Sequence, residues 1–192
     1  AARARHEVAD NRDHEYGWDG ERAWYKPSDW EPPYDVRFWA LTPYYFMGMP
    51  FVLADPGLNL ELEEPDTIEG HECEVVRITF GDVGISPDDF YVIYVDKQSR
   101  RLRALRYIVS YPKYFPDGGH SPEKLMTYDG EQTVDGITFA ESYRFFMWKP
   151  EAKTDEKVVT HATLDSVEFR PETPDAFFEM PEEGAPVEEV EK

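Results

Sequence analysis

The feature that most constrains this chain is the way its aromatic and β-branched residues fall in short runs separated by turn residues. Phe90-Tyr91-Val92-Ile93-Tyr94 and Tyr143-Arg144-Phe145-Phe146 are two such runs, and runs of that length and composition read as strands. From Glu72 onward strand follows strand. Glu72 to Phe80 alternates Cys73, Val75, Arg77 and Thr79 against Glu74, Val76, Ile78 and Phe80, the period of a pleated strand. Phe90 to Val95 is joined by the loop Asp96-Lys97-Gln98-Ser99-Arg100 to a return strand, Leu102 to Tyr111. Leu125 to Tyr128 is shorter. Val134-Asp135-Gly136-Ile137 is a turn, and Ile137 to Trp148 and Val158 to Phe169 complete the set. Strands joined by short loops make an antiparallel meander, not a parallel α/β sheet.

The N-terminal third reads differently. Arg3 to Asp13 is charged and weakly patterned, a frayed strand or a tail. His14 to Tyr25 forms a hairpin about Asp19-Gly20, the pair suited to a type I′ turn with positive φ at both central residues. Pro27, Pro32 and Pro33 enforce an irregular loop. Val36 to Ala54 is nearly all apolar, yet Pro43, Gly48 and Pro50 rule out a central strand. Thr42-Pro43 matches a helix N-cap followed by proline at the first helical position. This predicts one short, buried, irregular helix within Leu41 to Leu53, ended near Asp55-Pro56-Gly57 and covering the concave face of a sheet. Glu61, Glu63, Glu64 and Asp66 read as a solvated loop. The segment from Pro171 carries one apolar knot, Phe177-Phe178-Glu179-Met180. The expected organisation is mainly β: a single antiparallel domain over residues 1–181 and an acidic, disordered tail over 182–192. The sequence shows no internal repeat and no domain linker.

Charge excludes some partners. Forty acidic residues against 20 basic ones give a net charge of -20, a field that repels nucleic acid and anionic membrane surfaces. The bases are 12 Arg and 8 Lys. A Lys-poor acidic surface is typical of halophile proteins, where screening removes self-repulsion, although an ordinary acidic secreted protein fits as well. Cys73 is the only cysteine, so the chain has no disulfide framework. No stretch approaches the ~20 apolar residues of a membrane-spanning helix. The chain opens at Ala1, as a processed or trimmed chain does, so a missing leader is no argument for a cytosolic home.

Candidate chemistry is sparse. His71 and Cys73 share a strand face, with Glu72 and Glu74 pointing the other way, which favours a structural role over a metal site. His6, His14, His120 and His161 are scattered. Ser86 and Ser121 lack the surroundings of a nucleophile, and no glycine-rich phosphate loop is present. Asp82, Asp88 and Asp89 share a loop that offers oxygen ligands to calcium, but such residues also serve turns and solvation. No pair among the 40 acids stands out for glycoside hydrolysis. The expectation is a non-enzymatic domain with no catalytic residue, no metal and no cofactor. The aromatic set is the stronger signal: Trp18, Trp24, Trp39, Tyr45, Phe46, Met49 and Phe51, with Tyr44 and Met47 beside them. Two readings stand for it, a cavity accepting an apolar ligand and a plain filled core.

Several of these segments together resemble one known group. Trp18-Asp19-Gly20 followed by Trp24 resembles the "DG-x-x-x-W" hairpin of the outer-membrane lipoprotein-carrier (LolA/LolB-like) superfamily. Phe90 to Asp96 with Leu102 to Tyr107 is similar to its strand, acidic turn and return strand, and Val134-Asp135-Gly136-Ile137 to its later hairpin. Met49-Pro50-Phe51-Val52-Leu53-Ala54-Asp55-Pro56-Gly57 and Gly84-Ile85-Ser86-Pro87-Asp88-Asp89 are similar to an uncharacterised family of bacterial envelope proteins within it. The match runs roughly from Glu15 to Met180. It departs at the N-terminus, where the family has a helix and strands before the first hairpin and this chain has only a few residues. The resemblance implies a curved antiparallel half-barrel with helices in its mouth and an apolar cavity. It also implies a lipid or lipoprotein acyl chain as ligand, an envelope protein as partner, and a periplasmic or outer-membrane-associated location.

Overall fold

Period-two alternation from residue 58 onward builds one large sheet. The computed structural model describes residues 2–54, 56–81, 86, 88–154 and 157–188. The chain gathers into two compact units, Ala1–Met49 with Arg170–Lys192, and Pro50–Phe169. Both are built on open antiparallel sheets rather than closed barrels, and helix is confined to short segments.

In the second unit, seven strands lie side by side: β4 (Leu58–Ile68), β5 (His71–Phe80), β6 (Phe90–Asp96), β7 (Leu102–Tyr107), β8 (Lys124–Asp129), β11 (Ser142–Met147) and β12 (Thr160–Thr163). A separate hairpin joins β9 (Gln132–Val134) to β10 (Ile137–Phe139). Its turn residues Asp135 and Gly136 have φ of 50° and 84°, the double positive φ of a type I′ turn. The predicted strand from Leu102 to Tyr111 stops at Tyr107. Beyond it, the Val109 amide donates to Ser121 Oγ at 3.0 Å and the Ser110 amide to Asp89 Oδ1 at 2.6 Å, so neither is left for a ladder. The predicted Ile137–Trp148 strand is interrupted at Ala140 and Glu141, and only Thr160–Thr163 of the last predicted strand pairs.

The expected solvated loop at Glu61, Glu63, Glu64 and Asp66 is instead the long edge strand β4. The register slips between Glu63 and Asp66, around Pro65, which is where an edge strand tolerates proline. An edge strand with one solvated side reads as a polar loop because burial selects too few of its residues. Glu69 and Gly70, at φ of 46° and 83°, turn it tightly into β5.

The first unit holds β1 (Ala4–Val8), β2 (Asn11–Trp18), β3 (Ala23–Lys26) and β13 (Ala185–Pro186), in that order. The segment Arg3–Asp13 thus carries β1 and the start of β2, a paired hairpin and not a tail. The Trp18/Ala23 hairpin forms as expected, but Asp19 is not at positive φ and the loop is four residues long. Asp19 Oδ1 accepts the Glu21 and Arg22 amides at 2.8 and 2.7 Å, an Asx turn that replaces the type I′ geometry. The expected acidic tail is ordered in part: Ala185 and Pro186 pair with Tyr25 and Trp24, and the Val187 amide donates to the Ala23 carbonyl.

The predicted single helix resolves into α1 (Val36–Trp39), α2 (Thr42–Met47) and a 3₁₀ turn (Phe51–Ala54). Asp35 caps α1 through the Phe38 amide at 2.8 Å, and α1 packs on β2 and β3. Thr42 does not cap α2; its hydroxyl turns back to the Phe38 carbonyl at 2.7 Å and Leu41 takes the cap position. No residue of α2 is fully buried, contrary to the buried helix expected. Pro50 and Gly48 break the run because neither sustains a helical ladder.

Candidate functional site

The ladder registers of the seven-stranded sheet collect apolar side chains on one face. Ile78 lies opposite Tyr91, Tyr91 opposite Tyr107, Tyr107 opposite Lys124, and Lys124 opposite Met147. The adjacent row runs Val76, Ile93, Leu105, Met126, Phe145. Tyr128 and Tyr143 pair in the next. Leu60 and Leu62 on β4 extend both rows to the sheet edge, where they are 58% and 70% exposed. Ile78, Leu105 and Met126 are buried, whereas Val76, Phe80, Tyr91, Phe145 and Met147 keep part of their surface open.

The rings on this face meet edge to face: Phe80 and Tyr91 at 5.0 Å, Tyr128 and Tyr143 at 5.4 Å between centroids, the favoured aromatic geometry. Burial pushes the phenols upward, Tyr143 to about 12 and Tyr128 well above its ordinary value, so they stay neutral hydroxyls near neutral pH. Lys124 is the cation of the face, and its half-buried position pulls its ammonium below the usual lysine range. Among the described residues it makes no ion pair and no side-chain hydrogen bond.

The opposite face is filled by its own side chains. Ile68, Cys73, Val75, Val92, Tyr94, Ala104 and Leu125 cluster there, with Phe90 and Trp148 packed against them. Arg77 stacks over Phe90 at 4.1 Å and Arg106 over Trp148 at 4.9 Å, cation–π contacts that cover the rings while the guanidinium groups reach Glu63 and Glu123.

His71 and Cys73 follow the structural reading. His71 Nδ1 meets Asp96 Oδ2 at 2.7 Å, and the buried Cys73 thiol, which burial pushes up, donates to the His71 carbonyl at 3.4 Å. Asp96 is held well below the usual carboxylate range by the Ser99 and Gln98 amides and by His71. Asp89 accepts from the amide and the hydroxyl of Ser110, and burial raises its carboxyl. Asp82 lies outside the described residues. Among the described residues no group of three or more His, Cys, Asp or Glu side chains is placed to hold a metal ion.

The aromatic set from the sequence is divided. Trp18, Trp24, Trp39, Tyr45, Phe46 and Met49 lie in the first unit and Phe51 in the second. Gly17 pairs with Trp24 and Trp18 with Ala23, so Trp18 and Trp24 occupy opposite faces of that sheet. Trp24 is 1% exposed and its Nε1 donates to the Phe178 carbonyl at 2.9 Å. The Arg37 guanidinium lies 3.7 Å from the Trp18 ring. Tyr45 packs edge-on to Tyr44. Met49 is buried, Phe46 half-buried, and Trp39 and Phe51 are exposed.

Reading the sequence overlooked a second aromatic group in the same unit. His6 stacks on Tyr16 and His14 on Trp30, each at 4.6 Å, and Tyr34 stands edge-on to both Tyr16 and Trp30. Alternation along β2 put His14, Tyr16 and Trp18 on one face and was readable; the approach of Trp30 and Tyr34 from the proline loop was not.

Two solved structures are similar to this chain. One is a LolA superfamily protein from Nitrosomonas europaea, at 14% identity and a TM-score of 0.49, covering 90% of this chain and 73% of the other. The second is a domain from Vibrio parahaemolyticus described as a putative outer membrane lipoprotein-sorting protein, at 11% identity and a TM-score of 0.41, covering 84% and 70%. Neither likeness assigns a residue or a ligand here. No protein-family model matches the chain, and no curated protein matches it in sequence.

Proposed function

We propose that this chain is a non-enzymatic binding domain of the cell envelope that holds an apolar ligand, a lipid or lipoprotein acyl chain. The observation that carries this reading is the continuous apolar face of the seven-stranded sheet, five strands wide, with several aromatic and methionine side chains still partly open. Such side chains make adaptable walls for a flexible hydrocarbon. Phe51, exposed in the same unit, is proposed as further lining. The envelope setting and the acyl chain are what the hairpin resemblance implies.

Thermal unfolding with a panel of fatty acids and lipopeptides tests it. A bound ligand at a hundredfold excess over its dissociation constant stabilises the fold by ~2.7 kcal/mol. Met147→Glu, at a partly open position of that face, abolishes that shift, because a charge facing an acyl chain is desolvated without a partner. Far-UV circular dichroism establishes that the variant is folded. If no member of the panel moves the transition, and protein extracted from its native host yields no lipid, the reading fails.

A second reading, a protein-interaction module, is favoured by β4. Among the described residues it ends the sheet, and it exposes Leu60 and Leu62, the features of a surface that accepts another strand. A stable complex formed without lipid, and lost in a Leu60→Lys/Leu62→Lys variant, is the result expected from it.

A further inference from the structure

The Gly81 amide donates to the Gly57 carbonyl, and this pair continues the β4–β5 register. Bonded and non-bonded pairs alternate along an antiparallel ladder, so Asn59, Glu61 and Glu63 spend their backbone groups on β5. The amides and carbonyls of Leu58, Leu60 and Leu62 therefore point off the sheet, where β4 is the last strand among the described residues. The pleat divides the side chains. Leu60 and Leu62 lie on one face, 58% and 70% exposed, and Glu61 and Glu63 lie on the other. Arg77, opposite Glu61 in the ladder, reaches Glu63 at 3.9 Å, and Glu61 is exposed. Proline and register slips protect an edge from pairing, but Pro65 and the slip between Glu63 and Asp66 guard only the far half of β4.

Charge decides the occupant. A second copy pairing through β4 sets carboxylates against carboxylates, and like charges facing each other destabilise a ladder. Two chains of net charge -20 also repel at long range. A strand with cations at alternate positions meets Glu61 and Glu63 with opposite charge, and the same field draws it in. Resting on the interaction-module reading above, we propose that β4 accepts an extended segment of a partner protein in which apolar residues alternate with lysine or arginine. Its apolar side chains cover Leu60 and Leu62, its cations face Glu61 and Glu63, and its backbone bonds to the outward groups of Leu58, Leu60 and Leu62. Alternation with period two fits either strand direction.

The test measures fluorescence anisotropy of labelled heptapeptides with the full chain at physiological salt. Three peptides alternate valine with lysine, with glutamate or with threonine, and a fourth carries the lysine and valine of the first sorted into two blocks. The alternating lysine peptide is expected to bind about tenfold tighter than the other three. Glu61→Lys, at an exposed position, removes most of that difference. Leu60→Pro deletes an outward amide and spares the bonds to β5, so it abolishes binding at an unchanged far-UV circular dichroism spectrum. A block peptide that binds as tightly as the alternating one marks bulk charge attraction and overturns the proposal. Equal binding of the three alternating peptides, lost in Leu60→Pro, overturns the charge selection and leaves the interaction-module reading standing. If no peptide binds, both fall. A dimer in sedimentation velocity that Leu60→Pro dissolves makes the occupant a second copy and overturns the proposal as well.

Discussion

Gly17 shows how a single residue sets the geometry of the first unit. A Cβ at this position would lie 2.5 Å from the Ala4 carbonyl oxygen and 2.7 Å from the Trp24 ring. Both neighbours are held, one by the β1–β2 ladder and the other by burial and its bond to Phe178. Gly17→Ala therefore destabilises by roughly 1–3 kcal/mol through overpacking, read as a lower urea midpoint at unchanged slope. A midpoint equal to that of the natural chain would mean that the indole relaxes freely. Glu15, two residues earlier on the same face, is equally constrained: it is nearly buried and takes both Arg5 and Lys26. Neither role shows in the sequence, where Gly17 reads as a plain strand residue and Glu15 as one acid among 40.

Among the elements, the C-terminal segment departs furthest from its composition. Pro- and Glu-rich sequence predicts disorder beyond Pro181, yet β13 joins the edge of the first sheet and the Ser28 amide donates to the Glu183 carbonyl. The Phe177 and Phe178 carbonyls accept from Arg5 and Trp24. The apolar knot at Phe177-Phe178 was legible; its partner was not, because it lies more than 150 residues away. Deleting residues 171–192 uncovers Trp24, so tryptophan emission shifts to the red and the melting temperature falls. Unchanged emission would show that the segment is dispensable to the first sheet. In the second unit β4 was missed for the opposite reason: it is an edge strand whose face alternation is diluted by Glu and interrupted by Pro65.

At the scale of the whole molecule, charge is the dominant long-range term. A net charge of -20 makes the folded surface repel itself, and salt shortens the range of that repulsion to ~3 Å at 1 M. Raising sodium chloride from low to molar concentration should raise the melting temperature, followed by differential scanning calorimetry. A flat or falling melting temperature would sink the salt-adapted reading and leave an ordinary acidic protein whose charges are already dispersed.

What the sequence determined by itself is the local part of the fold. Alternation with period two and turn pairs such as Asp135-Gly136 are properties of neighbouring residues. They suffice for an antiparallel, mainly β chain with its α-helix in the Val36–Ala54 stretch. Tertiary structure alone decided which strands became edges, which segment closed the first sheet, and which side chains share a face. The candidate site belongs to that second class. Lys124 is opposed by Tyr107, 17 residues before it, and by Met147, 23 residues after. A ladder register couples residues through hydrogen bonds between strands, and no local preference of the chain encodes which strand arrives alongside.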